Sequence, residues 1–272
     1  MSYKINTDYS WLKLDNSFEF KINLIIDNKI ILPKDCINIV ILCEPQSISF
    51  NKEFFITNQN HYDFILTHDY EVLSRCKNAL FFEFGTCWVC DFIAPDNKKF
   101  EVSFLVGSKN FTIGHKLRHI IWNNQDKITI PKNFYNSKNS TYNTEIPYKI
   151  LSGSKNELFN SQFHLCIENC DNAGYFSEKI IDCFYTKTIP IYYGCQDIDR
   201  WFNMDSIFRI NSLDDIIRVC NNINETTYEK YIDSINDNYN RCLKFLDYES
   251  RVIEKINEII RYIKNENIGN RF

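Results

Sequence analysis

The sequence predicts an α/β protein with two domains, each built on a parallel sheet. Several short apolar segments are near-continuous hydrophobic runs, which is typical of parallel strands that are buried on both faces. Helical segments separate some of these runs, and the resulting strand–helix–strand order is that of units with right-handed crossovers. The length of 272 residues corresponds to about two domains of roughly 150 residues each.

The predicted strands are short segments rich in β-branched and aromatic residues. They span residues 37–42, 62–66, 80–84, 102–106, 163–167 and 189–193. Two helices are predicted between strands, over 114–123 and 177–186. The chain ends in further helices, because apolar residues recur at the helical period over 228–246 and again over 252–263.

A polar stretch without hydrophobic periodicity, residues 132–146, lies between Pro131 and Pro147. Such a segment is typical of a linker. We therefore expect an N-terminal domain over residues 1–146 and a C-terminal domain over residues 147–272 that includes the terminal helices.

Composition and charge exclude several classes of protein. Hydrophobic residues make up 44% of the chain and charged residues 24%, which is typical of a globular protein and not of a disordered one. A net charge of −4 gives no field that would attract nucleic acid, so no nucleic-acid partner is expected. No signal peptide or run of eighteen apolar residues is visible, so we expect a soluble, intracellular protein without a transmembrane segment. The odd, scattered set of 11 cysteines fits reduced thiols in such a compartment.

Three short motifs favour metal or thiol chemistry only weakly. They are Cys87 with Cys90, His115 with His119, and Asp197 with Asp199. The first lacks a second cysteine pair, the second lacks the glutamate of a metalloprotease, and the third is a common triplet in an Asp-rich chain. No metal site is therefore predicted. The sequence also contains no phosphate loop, GxGxxG turn or GxSxG elbow, which argues against a kinase, a dinucleotide oxidoreductase or a serine hydrolase.

The strongest functional pattern begins at the end of the predicted strand 163–167. Glu168 and Asn169 follow that strand, and a polar loop containing Tyr175 leads to a helix with Glu178 and Lys179 in its first turn. Ligands of α/β sheets lie at the carboxyl ends of strands, and a helix N-terminus favours a diphosphate. Lys179 adds a positive charge, Tyr175 offers a ring and a hydroxyl, and Glu178 can accept hydrogen bonds from sugar hydroxyls. The alternative is that Ser177 and Glu178 only cap the helix and that Lys179 is solvated.

These residues resemble the signature of the α-1,3-fucosyltransferases, glycosyltransferase family 10. The resemblance rests on Phe163, Glu168-Asn169, Tyr175, Glu178-Lys179, Ile189-Pro190 and Gly194 within about fifty residues. It implies the GT-B fold, in which two Rossmann-like domains face each other across a cleft. The N-terminal domain would then hold the acceptor and the C-terminal domain the nucleotide sugar.

The resemblance also implies roles for single residues. Tyr175, Glu178 and Lys179 match the donor-binding tyrosine, glutamate and lysine, and Glu168 and Asn169 belong to the same site. A looser match places Arg118 at the family's phosphate-binding arginine, which suits a diphosphate because its guanidinium is planar and permanently charged. Glu44, directly after the strand 37–42, matches the segment that holds the catalytic glutamate and would act as the general base.

The implied reaction is inverting transfer of fucose from GDP-fucose to a hydroxyl of a glycan acceptor. The partners are then the nucleotide sugar and the glycan. No cofactor is required, because Arg118, Lys179 and the helix N-terminus can stabilise the departing diphosphate, although a divalent cation could stimulate transfer. Two alternatives stay open: a transferase for a UDP- or dTDP-linked donor, and an inactive sugar-binding or scaffold protein of the same fold. The sequence does not predict an oligomeric state.

Overall fold

The computed structural model describes residues 3–7, 17–31, 35–48, 51–95, 97–137, 149–151 and 153–265. Its strands are β1 (Tyr3–Lys4), β2 (Asn6–Thr7), β3 (Ser17–Phe18), β4 (Ile22–Ile26), β5 (Ile37–Leu42), β6 (Phe64–Thr67), β7 (Ala79–Phe81), β8 (Lys99–Val106), β9 (Lys132–Ser137), β10 (Lys149–Leu151), β11 (Ser161–Ile167), β12 (Ile189–Tyr193) and β13 (Phe208–Arg209). Its α-helices are α1 (Lys52–Thr57), α2 (Tyr70–Arg75), α3 (Ile113–Asn123), α4 (Glu178–Tyr185), α5 (Leu213–Asn222), α6 (Ile232–Cys242) and α7 (Tyr248–Asn265).

The chain divides into two compact units. Unit 1 comprises residues 1–84 and 247–272, and unit 2 comprises residues 85–246. The sequence-predicted boundary after residue 146 is therefore wrong, since β8 and β9 belong to the same sheet as β11 and β12. The predicted placement of the terminal helices is wrong in part, because α7 belongs to unit 1.

Unit 1 has a five-stranded parallel sheet in the order β2-β4-β5-β6-β7, and a separate antiparallel pair, β1 with β3. All residues of β4 and β5 are buried, and apart from Asn23 and Asn38, which hydrogen-bond to each other, they are apolar, as expected for parallel strands covered on both faces. Helix α7 packs an apolar face onto one side of this sheet; the residues of that face are Val252, Ile256, Ile259, Ile260 and Ile263. This contact explains why the last helix returns to the first unit.

Unit 2 has a six-stranded parallel sheet in the order β10-β9-β8-β11-β12-β13. Alternate residues of β11 enter different core clusters: Phe163, Leu165 and Ile167 pack in one, and Cys166 packs in the other. The strand is therefore buried on both faces, as predicted. The strands β9 and β10 follow β8 on one side of the sheet, and β12 and β13 follow β11 on the other side. The strand order therefore reverses between the neighbours β8 and β11.

The predicted linker is only partly described. Residues 132–137 form β9, which pairs with β8 and β10, so the linker prediction is wrong for this part. Residues 138–146 lie outside the described residues. The polar sequence of β9 hides its strand character, since Asn133 and Asn136 are buried within the sheet. Predictions for the strands 37–42 and 189–193 and for the helices 114–123 and 177–186 are confirmed to within about a residue.

Helix α3 approaches the end of β11 so closely that only glycine fits at one position. A Cβ atom on Gly114 would lie 1.8 Å from the carbonyl oxygen of Glu168, and the Gly114 backbone N–H donates to the Asn169 carbonyl at 3.2 Å. Backbone atoms cannot move aside as the end of a flexible side chain can.

We expect Gly114→Ala to lower the free energy of unfolding by ~1–3 kcal/mol, because the helix must shift away from Glu168. Gly153→Ala is the matched control, since nothing lies within 4 Å of a Cβ atom there. Urea denaturation of both variants measures the difference. Equal stabilities would contradict the close packing of α3.

Candidate functional site

The candidate site lies at the carboxyl ends of β8 and β11, where the strand order of unit 2 reverses. In open α/β sheets a crevice forms at this position, because the connections that follow the two strands lead to opposite sides. Here β8 leads to α3, which carries Arg118, and β11 leads to Glu168 and then to α4. The fold therefore brings residues about fifty positions apart in the sequence to one edge of the sheet.

Glu168 is the buried centre of this site. Its side chain is fully buried, and its Oε1 accepts hydrogen bonds from the backbone N–H of Ser177 at 2.9 Å and from Ser177 Oγ at 2.9 Å. Its Oε2 lies 2.7 Å from Ser177 Oγ and 3.2 Å from Lys179 Nζ. Gly194 leaves room for it, since a Cβ atom there would lie 2.6 Å from Glu168 Cγ. Glu168 thus holds the first turn of α4 in place, and its buried carboxylate does not face solvent.

Two charged groups of the first turn of α4 form an ion pair. Lys179 Nζ lies 3.4 Å from Glu178 Oε1, and Ser177 caps the helix. Burial favours neutral forms of both groups, but the Glu168 and Glu178 carboxylates outweigh it and raise the pKa of Lys179. Lys179, together with Lys155, likewise lowers the pKa of Glu178 to about 2 against the effect of burial. Both side chains are therefore charged at neutral pH.

Arg118 is anchored to the end of β11. Its Nε donates to the Ile167 carbonyl at 3.2 Å, and its Nη2 donates to the same carbonyl and to Asn169 Oδ1 at 3.0 Å. These bonds fix the plane of the guanidinium, and they give Asn169 a positioning role. Arg118 also lines the cavity described below.

Tyr175 and Glu44 occupy different surroundings. Tyr175 is 1% exposed, so the ring that the sequence analysis offered to a ligand has no open face. Glu44 follows the carboxyl end of β5 in unit 1, as predicted. Its backbone N–H donates to Asp27 Oδ2 at 3.2 Å, and Asp27 also accepts from the Cys43 N–H at 2.8 Å. These bonds fix the backbone that carries the Glu44 carboxylate.

A cavity of about 210 Å³ in unit 2 adds residues that the sequence did not indicate. Its charged and aromatic lining includes Trp88, Arg118, Lys155, His164, Glu178, Lys179 and Asp182. Lys155 Nζ lies 3.3 Å from Glu178 Oε1 and 3.5 Å from Asp182 Oδ2. Only the spacing of Glu178 and Asp182, one helical turn apart, could have suggested that both carboxylates share a face of α4.

His164 lines this cavity as a buried neutral group. Its Nδ1 lies 2.8 Å from Ser103 Oγ, and burial, together with the nearby cations Lys155 and Arg118, lowers its pKa to about 3. In the unfolded chain the pKa is near 6.5, so the unfolded state binds a proton first as the pH falls. The contribution of neutral His164 to the free energy of unfolding is therefore complete above pH 6.5 and is lost progressively toward pH 3.

We expect His164→Gln to remove this pH dependence. Between pH 7 and pH 5 the wild type should lose about 2 kcal/mol of unfolding free energy through His164, and the variant should not. Urea denaturation at several pH values measures the difference in unfolding free energy between the wild type and the variant. This difference should shrink by about 2 kcal/mol from pH 7 to pH 5. Two parallel stability curves would show that His164 does not titrate in this way.

The weak motifs have structural explanations. Asp197 Oδ1 accepts from the Gly174 N–H at 2.6 Å and from Cys195 Sγ at 3.2 Å, so this aspartate holds the loop before α4. All 11 cysteines are free thiols in the structure. Among the described residues, no group of three or more His, Cys, Asp or Glu side chains is placed to hold a metal ion.

No helix in the described ranges is long and apolar enough to cross a membrane.

Comparison with known proteins places the chain among glycosyltransferases in fold. No protein-family model matches it. The curated α-(1,3)-fucosyltransferase FucT of Helicobacter pylori is 41% identical over 59 residues, and this match spans 21% of the chain and only 12% of the relative. The sequence resemblance to fucosyltransferases therefore has independent support over part of the chain.

Solved structures extend the likeness to most of the chain. A crystal structure of an α1,3-fucosyltransferase with GDP-fucose matches with a TM-score of 0.53 and 19% identity over 81% of this chain and 70% of that one. The crystal structure of TarM matches with a TM-score of 0.54 and 12% identity over 87% of this chain and 54% of that one. The predicted fold class is confirmed: the chain has the α/β fold of GT-B glycosyltransferases.

Proposed function

We propose that this chain is an inverting glycosyltransferase that transfers fucose from GDP-fucose to a hydroxyl of a glycan acceptor. The observation that carries the proposal is the charged first turn of α4, where buried Glu168 holds Lys179 at the carboxyl edge of the unit 2 sheet. The local identity to the H. pylori fucosyltransferase and the fold of the GDP-fucose complex support this choice of donor.

The unit 2 residues suit a departing nucleoside diphosphate. Lys179 is charged, Arg118 is held with its guanidinium fixed, and α4 presents backbone N–H groups at its N-terminus. These groups stabilise the negative charge that grows on the diphosphate as its bond to the sugar breaks. Glu178 accepts hydrogen bonds from donor hydroxyls, and Glu168, Asn169 and Tyr175 act as supports of the site.

The acceptor requires a base, and Glu44 is proposed for this role. The acceptor oxygen forms a bond to the anomeric carbon, its proton passes to the Glu44 carboxylate, and the electron pair of the broken bond leaves with the diphosphate. The protein's own cations supply the charge stabilisation, so the proposed reaction requires no divalent cation.

A screen of donors by thermal unfolding tests this proposal. A ligand that binds the folded state raises the melting temperature, so GDP-fucose should raise it more than a UDP-linked hexosamine or dTDP-rhamnose. A UDP-linked donor is the second candidate, because one TarM structure of the same fold contains UDP. A larger shift with the UDP sugar would assign that donor, and no shift with any of the three would contradict a transferase.

A further inference from the structure

An exposed tryptophan lies at the edge of the unit 2 cavity. Trp88 is 62% exposed, whereas its neighbours Cys87 and Val89 are buried in the core of the unit. A single exposed apolar residue is ordinary on a protein surface. Trp88 differs because its backbone is anchored on both sides and its ring lies beside charged groups.

Two buried or half-buried side chains hold Trp88 in this position. The Trp88 backbone N–H donates to Asp182 Oδ1 at 2.7 Å, and Asp182 is fully buried on α4. Lys155 Nζ lies 4.2 Å from the centroid of the Trp88 ring and 3.5 Å from Asp182 Oδ2. A cation over an aromatic face at this distance is attracted to it. The indole is therefore held by a hydrogen bond from its backbone and by a cation over its ring.

The same lysine connects the tryptophan to the proposed donor site. Lys155 Nζ lies 3.3 Å from Glu178 Oε1, and Lys179 Nζ lies 3.4 Å from that oxygen. The cavity lining thus includes both cations that suit a diphosphate and an exposed aromatic ring. A nucleoside diphosphate has the complementary parts, an anionic group and a planar base.

We propose that Trp88 is the stacking surface for the base of the nucleotide donor, and that Asp182 and Lys155 are positioning residues for it. This inference rests on the proposed function, because the base belongs to the nucleotide sugar. Stacking on an aromatic ring tolerates any base, so Trp88 adds affinity for the nucleotide, and other groups choose among bases.

Calorimetric titration with two probes tests the inference. GDP carries the base, and inorganic pyrophosphate carries only the anionic group. Trp88→Ala should weaken GDP binding roughly 5- to 150-fold and leave pyrophosphate binding unchanged, and Trp88→Phe should restore most of the GDP affinity. Ile93→Ala is the matched control, since Ile93 is 88% exposed in the same segment. Melting temperatures show that each variant is folded.

A double-variant comparison tests the positioning role. Asp182→Ala should weaken GDP binding and spare pyrophosphate, and combining it with Trp88→Ala should cost no more than Trp88→Ala alone. Wild-type GDP affinity in Trp88→Ala, or equal losses for GDP and pyrophosphate, would overturn the inference and leave the proposed function intact. Failure of the wild-type protein to bind either probe would overturn both.

Discussion

Glu44→Gln is expected to lower the kcat of sugar transfer by about 10²–10⁴, because glutamine keeps the shape of the side chain but cannot accept the acceptor's proton. The affinity for the donor should change little, since the donor groups belong to unit 2. Steady-state kinetics with GDP-fucose, together with calorimetry of GDP binding, separates the two quantities.

Other acidic residues of unit 1 have structural contacts that make them suitable comparisons. Glu53 pairs with Arg75 at 2.7 Å on the surface, and Asp69 caps α2. Asp63 accepts from the Asn38 backbone N–H at 2.8 Å. Glu53→Gln is the matched control and should transfer at the wild-type rate. A wild-type kcat in Glu44→Gln would assign the base to another group.

Lys179→Met is expected to weaken binding of GDP by ~1.5–3 kcal/mol, the usual size of a hydrogen bond to a charged group. Methionine keeps the apolar stem but removes the ammonium group that lies 3.2 Å from Glu168 and 3.4 Å from Glu178. The loss should appear in donor affinity, unlike the effect of Glu44→Gln on kcat.

Lys116→Met is the control for the change in net charge, because Lys116 is exposed on α3. Removing Lys179 also takes a cation from the buried Glu168 carboxylate, so the melting temperature of the variant should fall. The calorimetry is therefore carried out well below that temperature. Unchanged GDP affinity in Lys179→Met would contradict its assignment to the donor site.

The sequence predicted the elements around the site because their signals are local. The strand β12 and the helix α4 are short, strongly apolar or amphipathic, and bounded by capping residues or glycine. Glu168 and Lys179 are eleven positions apart, so one loop brings them together. The role of Glu168 was harder to predict, since only the structure shows that its carboxylate is buried against Ser177.

The sequence missed features that depend on distant contacts. The strand β9 is polar and carries buried asparagines, so its pattern is that of a loop. The return of α7 to unit 1 depends on which apolar face it meets, and periodicity does not identify that partner. The contact of Trp88 with Asp182 joins residues 94 positions apart, and no spacing rule predicts it.

A crystal structure of the chain with GDP-fucose tests the central claim most directly. The account predicts the diphosphate in unit 2 within hydrogen-bond distance of Lys179 Nζ, at the carboxyl ends of β8 and β11, with Glu168 still buried against Ser177. A nucleotide bound elsewhere, with Lys179 making only its present contacts to Glu168 and Glu178, would contradict it.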